Sequence, residues 1–186
     1  MRGFGAALNY LMQCARGAVA VALLLACAVS AAAETSLAEA RDLATDGKSA
    51  AQSGVPVIVL VSLAGCPHCE VVRRYHLLPL LRDGIGVPKP VIRQVEVSGR
   101  KRLRDFDGKD ITHGEFARRY KANIAPVVFF FSADGALLAK PLVGSMIPDF
   151  YGAYFDAAFN EAKSKLSAPQ LQTRPPKKTS VLASEN

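Results

Sequence analysis

Apolar residues follow two patterns along this chain: a helical spacing, and short runs typical of strands. Each change of pattern marks the boundary of a predicted helix or strand. Apolar positions at helical spacing predict helices over residues 35–53, 67–81, 112–120 and 148–166. Runs of β-branched and aromatic residues predict strands over residues 57–61, 91–97, 127–131 and 136–142. Two of these strands, 57–61 and 127–131, are apolar throughout, which is typical of central strands covered on both faces. Helices and strands are therefore interleaved, which indicates an α/β fold.

Local signals set the expected ends of several elements. Thr35 or Ser36 is predicted to cap the first helix. Pro79 interrupts the second half of helix 67–81 and predicts a kink there, because a proline cannot donate a helical hydrogen bond. Thr112 and Glu115 have the spacing of a capping box, which predicts a helix start at this point.

The C-terminal half is predicted to complete the hydrophobic core with a β-hairpin and a last helix. The turn at residues 133–135 predicts a hairpin between strands 127–131 and 136–142. Segment 98–110 is polar and charged and carries no predicted element. The last helix is expected to pack on the sheet through an apolar stripe that includes Tyr151, Tyr154, Phe155, Ala158, Phe159, Ala162 and Leu166, with Phe150 beside it.

Residues 1–33 have the pattern of a secretory signal. Arg2 and Arg16 are its only charges, an apolar run covers residues 18–29, and three alanines precede Glu34. We expect export to the periplasm; an uncleaved N-terminal anchor would place the domain in the same compartment. Cys27 ends a stretch that resembles a bacterial lipobox, so a lipid anchor at this residue is an alternative. Residues 167–186 are polar and rich in proline, which predicts a disordered tail.

Cysteine usage narrows the chemistry. The chain has four cysteines, and cleavage after residue 33 would leave only Cys66 and Cys69. An exported chain with a single C-x-x-C pair is more often a redox catalyst than a disulfide-stapled scaffold. The net charge is +7, but the positive residues are scattered without a basic stripe and interleaved aromatics, so we expect no nucleic-acid partner.

The sequence Cys66-Pro67-His68-Cys69 lies where a predicted strand turns into a predicted helix. The first turn of a helix offers unpaired N–H groups and the positive end of the helix dipole, and both favour a thiolate. Pro67 suits the first helical position. Cys66 is thus the predicted nucleophile, Cys69 the resolving thiol one turn later, and His68 a further stabiliser of the thiolate, which would make the disulfide more oxidising.

The element order, with this motif at the first junction and Ala125-Pro126 before a later strand, resembles the thioredoxin fold over residues 55–166. The resemblance implies a central mixed β-sheet flanked by helices, with segment 34–54 as an extra N-terminal helix. It implies that Pro126 is a cis-proline packed against the disulfide, and that the backbone at Ala125 pairs with the substrate. The implied partners are protein thiols and disulfides and a thiol-type electron donor or acceptor in the membrane, with no cofactor.

The sequence departs from the family pattern at two places. Gly65 precedes the motif in a chain without tryptophan, and Leu60 stands where thioredoxin has a buried acid, so the usual proton acceptor for Cys69 is missing. The dipeptide Pro67-His68 is similar to that of the oxidase DsbA, whose helical insertion is absent. In length and order the chain is closer to small periplasmic proteins of the SoxW and SoxS type.

Two other interpretations of the motif stay open on the sequence. The cysteines could form a structural disulfide, or, with a histidine, hold copper in a binding or assembly chaperone without turnover. His76 lies two helical turns beyond Cys69, roughly 10 Å away at a rise of about 1.5 Å per residue, which is too far for one shared ion. The sequence gives no distance for His113. We therefore expect no metal site and interpret both histidines as ordinary polar residues.

Overall fold

The computed structural model describes residues 36–82, 88–144 and 148–168. The predicted signal 1–33 with Cys27, and the predicted tail beyond residue 168, lie outside these residues. In chain order the elements are α1 Leu43–Ser53, β1 Val57–Ser62, α2 Pro67–Val72, a π-helical turn Arg73–Leu77, α3 Leu78–Arg82, β2 Val91–Glu96, β3 Arg102–Arg104, β4 Asp110–Thr112, α4 His113–Arg119, β5 Val127–Phe131, β6 Leu142–Val143 and α5 Pro148–Ser167.

The main sheet is mixed, as predicted. Its strand order is β2-β1-β5-β6. β1 runs parallel to β2, with Ser62 opposite Glu96, and antiparallel to β5, with Val61 opposite Val127. β6 pairs antiparallel with β5. Because a parallel pair brings the carboxyl ends of its strands together, the residues that follow β1 and the end of β2 meet at one edge of the sheet.

Helices cover both faces of the sheet. Successive strand residues point to opposite faces, and both sets are buried in β1 and β5. One face, which includes Leu60 and Phe130, packs against α2, α3 and α5. The other face, which includes Val59 and Phe129, packs against α1 and α4. The prediction of two central strands covered on both sides is confirmed.

The first helix begins later than predicted. It starts at Leu43, and Asp42 caps it by accepting a hydrogen bond from Thr45 N at 2.9 Å, so the predicted cap at Thr35 or Ser36 is wrong. Residues 38–40 are instead extended along β2, where Ala40 N donates to Gln94 O at 2.9 Å and Gln94 N to Ala38 O at 2.9 Å. Pairing with the sheet edge overrides the helical spacing of the apolar residues in this stretch.

The predicted break in the second helix is a π-helical turn that ends just before Pro79. Leu78 N donates to Arg73 O, five residues back. A proline ring clashes with the carbonyl one turn earlier in an α-helix, and a wider turn relieves such a clash. Pro79 therefore explains the irregularity in this helix, as predicted, although the irregular residues lie before the proline and not after it.

Three further expectations need correction. Segment 98–110 contributes β3 and the start of β4, a separate two-stranded sheet that the polar sequence did not predict. The predicted strand 136–142 is reduced to a single bridge at Leu137 and the short strand β6. On α5, Tyr151 and Phe155 are buried, but Phe150 and Tyr154 are exposed, so these two rings do not pack on the sheet.

His76 packs against aromatic side chains of α5. Its ring centroid lies 4.9 Å from that of Tyr151 and 5.7 Å from that of Phe155. Burial lowers the pKa of His76 below its usual value of 6.5, against an opposing effect of Asp156. Protonation of His76 is therefore less favourable in the folded state than in the unfolded state. The free energy of unfolding consequently falls as the pH drops below 6.5.

We therefore expect the variant His76→Phe to lose less stability than the natural protein between pH 7.5 and pH 5. The difference should be about 0.5 kcal/mol, because the imidazole is partly exposed to solvent. Urea unfolding at the two pH values measures it. An equal loss in both proteins would show that another group causes the acid sensitivity.

Candidate active site

β1 delivers the chain directly to the Cys66–Cys69 motif. The strand ends at Ser62, and Cys66 N donates to Leu63 O at 3.3 Å to close the connecting turn. Gly65 has φ +69°, in the left-handed region that favours glycine. No described atom lies within 4 Å of the position of a Cβ there. Backbone conformation, rather than space, therefore accounts for glycine at this position.

Cys66 is the N-cap of α2, as predicted, with Pro67 inside the first helical turn. Its Sγ accepts a hydrogen bond from Cys69 N at 3.1 Å. The two cysteines form a disulfide with Cα atoms 5.3 Å apart. Cys66 is partly exposed, whereas Cys69 is fully buried. Another polypeptide can reach only the first sulfur.

His68 and Pro67 are exposed between the two cysteines. Pro126 is buried and follows the half-buried Ala125, and the peptide bond between them is cis, which confirms the predicted isomer. Val127, the next residue, lies opposite Val61 near the end of β1. The fold therefore places the Ala125-Pro126 dipeptide at the same edge of the sheet as the motif.

A cavity of about 430 Å³ lies beside Cys66, and polar side chains line much of it. Within it, Arg73 Nε and Nη2 donate to Gln94 Oε1 at 3.1 and 2.9 Å, and Nη2 lies 3.4 Å from Ser62 Oγ. Arg73 also forms an ion pair with Glu70, and its side chain is only 16% exposed. Arg73, Gln94, Ser62 and Glu70 were not among the predicted site residues, because no local motif links them.

His113 closes the far side of the cavity and is almost fully buried. Its Nε2 lies 2.9 Å from Ala40 O, which can only accept, and Nδ1 lies 3.3 Å from Glu96 N, which can only donate. These partners fit the neutral imidazole with its proton on Nε2. His113 thus joins three segments of backbone, a structural role that the sequence did not indicate.

Within residues 36–82, 88–144 and 148–168, no three His, Cys, Asp or Glu side chains are grouped as ligands for a metal ion. None of the helices in the same ranges has the length and apolar character of a membrane-spanning segment.

The thioredoxin-like domain family matches residues 43–159, which is more than half of the chain. The chain belongs to this family, and its mixed sheet flanked by helices is the corresponding fold. The matched region contains the whole Cys66–Cys69 motif and the cis peptide bond before Pro126.

No curated protein matches the sequence. Among solved structures, a thioredoxin-fold protein from Helicobacter pylori is similar at 14% identity, over 74% of this chain and 91% of that chain, with a TM-score of 0.49. Mitochondrial thioredoxin 3 from Saccharomyces cerevisiae, in its oxidized form, is similar at 13% identity, over 70% of this chain and 99% of that chain, with a TM-score of 0.46.

Proposed function

We propose that the protein is an exported thiol–disulfide oxidoreductase that exchanges disulfides with protein thiols through Cys66 and Cys69. The observation that carries this proposal is the unequal exposure of a bonded pair at a helix start. Cys66 is partly exposed at the N-cap of α2, and Cys69 is buried behind it. This arrangement separates an attacking sulfur from a resolving sulfur.

In the oxidising direction, a substrate thiolate attacks Cys66 Sγ and the bond to Cys69 breaks, so that Cys69 leaves as a thiolate. A second substrate thiolate then attacks the substrate sulfur of the mixed disulfide, and Cys66 leaves as a thiolate. The substrate gains a disulfide and loses two electrons, which the cysteine pair takes up. In the reducing direction, Cys66 attacks a substrate disulfide and Cys69 resolves the product.

The surroundings of Cys66 suit both half-reactions. The hydrogen bond from Cys69 N and the start of α2 favour negative charge on the Cys66 sulfur. We assign His68, exposed in the same turn, to further stabilisation of that thiolate, and Pro67 to shaping the turn. Ala125 and Pro126 would receive the substrate backbone, since they stand at the same sheet edge as the motif.

The proposal includes export, on the basis of the leader-like residues 1–33. An oxidising compartment such as the periplasm is where a disulfide of this kind persists. A thiol-type donor or acceptor in the membrane would then restore the pair after each cycle, and Cys27 would carry a lipid if the lipobox is used. The dipeptide shared with DsbA and the length shared with SoxW and SoxS proteins support a role among periplasmic oxidoreductases.

The variant Cys69→Ser should trap the reaction halfway. Cys66 can still attack a disulfide, but no thiol remains to resolve the product, so a stable one-to-one mixed disulfide accumulates with a disulfide-bonded peptide. Mass spectrometry under non-reducing conditions detects the adduct, and dithiothreitol should release it.

Cys66→Ser is the matched control: with Cys14 and Cys27 replaced by serine in both variants, its remaining thiol, Cys69, is buried and should form no adduct. Adducts on Cys66→Ser, or none on Cys69→Ser, would contradict the assigned order of attack.

A further inference from the structure

Arg73 brings a guanidinium group to the cavity that Cys66 lines. It is the fourth residue after Cys69, and helical side chains lean toward the N-terminus of their helix. Arg73 therefore reaches back over the turn that holds the cysteines, where it contacts Ser62 and Gln94 and lines the same cavity as Cys66. Its position is fixed by partners on β1, on β2 and on its own helix.

This cation lies next to the place where the family has an acid. Leu60 occupies that place on β1, and its partner across the parallel pair is Gln94, the residue that holds Arg73. Gln94 is neutral, so it fixes the guanidinium without cancelling its charge. The polar side chain held at this strand pair is thus positive here, whereas thioredoxin has a carboxyl group at this place.

Two of the carboxylates that face the cavity are paired with cations. Glu70 forms ion pairs with both Arg73 and Arg74, so two cations share one carboxylate. Glu39, across the cavity, forms an ion pair with Lys101. His113 has both ring nitrogens engaged by backbone groups.

Glu96, at the end of β2, supplies the opposing negative charge in the cavity. Arg73 belongs to the π-helical turn that directly follows α2, the helix that carries the cysteines. A fixed guanidinium in this position favours a thiolate over a thiol.

We propose that Arg73 is a positioning residue that stabilises the reduced, thiolate form of Cys66 and thereby makes the Cys66–Cys69 disulfide an oxidant of protein dithiols. The inference rests on the proposed exchange function and gives it a direction. Each cycle transfers two electrons from a substrate dithiol, which becomes a disulfide, to the cysteine pair. Stabilising the thiolate product of that transfer shifts the equilibrium toward substrate oxidation.

The test compares Arg73→Met with Arg74→Met in the full chain. Both arginines contact Glu70, but the Arg73 side chain is 16% exposed and that of Arg74 is 67% exposed. With Cys14 and Cys27 replaced by serine in every variant, thiolate absorbance at 240 nm against pH follows the ionisation of the two motif thiols, and equilibration with glutathione at pH 8 gives the redox equilibrium constant. Arg73→Met should raise the thiol pKa by about one unit and shift the constant about tenfold toward the disulfide, about 30 mV. Arg74→Met should change the constant less than about threefold, as an exposed charge is screened.

Two more variants keep the test decisive if Arg73→Met folds poorly. Arg73→Lys retains the charge and should recover most of the thiolate stabilisation. Gln94→Glu has nearly the same shape and still accepts from Arg73, but its added negative charge should raise the Cys66 pKa as Arg73→Met does. Unchanged values in Gln94→Glu, or equal shifts in the Arg73 and Arg74 variants, would overturn the inference.

These outcomes are separate from failure of the proposed function. A Cys66–Cys69 pair that exchanges with glutathione at a constant independent of Arg73 contradicts only the role of the arginine. A pair that never exchanges with any thiol contradicts the oxidoreductase itself.

Discussion

Replacing Cys66 with serine should reduce catalysed insulin reduction to the rate of dithiothreitol alone, a loss of at least about 100-fold. A serine hydroxyl is not ionised near neutral pH and cannot form a disulfide, whereas the exchange reaction requires a thiolate at this position. Cys69 cannot substitute for it, because that sulfur is fully buried behind the first turn of α2. Turbidity of reduced insulin measures the rate.

In the full, unprocessed chain Cys27→Ser provides the control, since it makes the same change outside the motif and should leave the rate intact. Retained activity in Cys66→Ser would contradict the assignment of the nucleophile. A natural protein that shows no exchange but binds Cu(I) tightly would favour the chaperone interpretation.

Gly47→Ala should destabilise the fold by about 2–3 kcal/mol, the upper range for overpacking a tight contact. Gly47 is buried on α1, and a Cβ atom there would lie 2.2 Å from Ala133 O and 3.1 Å from Ala133 C, in the turn after β5. Both contacts are with backbone, so α1 or the turn must move. The gain in helix propensity from glycine to alanine, about 1 kcal/mol, is too small to offset this clash. Urea unfolding at neutral pH measures the change.

Gly152→Ala is the matched control in another helix. The nearest atom to its added Cβ is His76 Cε1 at 3.6 Å, an ordinary van der Waals contact. Alanine should therefore leave stability unchanged or raise it by up to about 1 kcal/mol. Similar destabilisation in both variants would mean that the Gly47 contact is not the cause.

The parts of the site that depend on local sequence could be predicted. The apolar run before Cys66 and the proline after it specify a buried strand followed by a helix start, and the structure has β1 and α2 at these positions. The capping box of Thr112 and Glu115 is likewise present at the start of α4. These features involve residues within a few positions of one another, so their physical causes are visible in the sequence.

The parts that depend on tertiary contacts could not be predicted. Arg73 and Gln94 are 21 residues apart, and His113 and Ala40 are 73 residues apart, so nothing in the local pattern links them. The extended segment before α1 has apolar residues at helical spacing, but the edge of β2 takes up its backbone groups. Without the register of β1 and β2, the charged cavity beside Cys66 cannot be inferred.

The extended segment before α1 also covers part of the outer edge of β2. The free backbone groups of an open strand edge readily pair with another chain. Here residues 38–40 already occupy the hydrogen-bonding groups of Gln94 on β2. At the opposite edge, β6 has only two residues, with Pro141 directly before it, and offers little backbone for pairing. The two edges of the main sheet are thus poorly suited to pairing with a further strand from another chain.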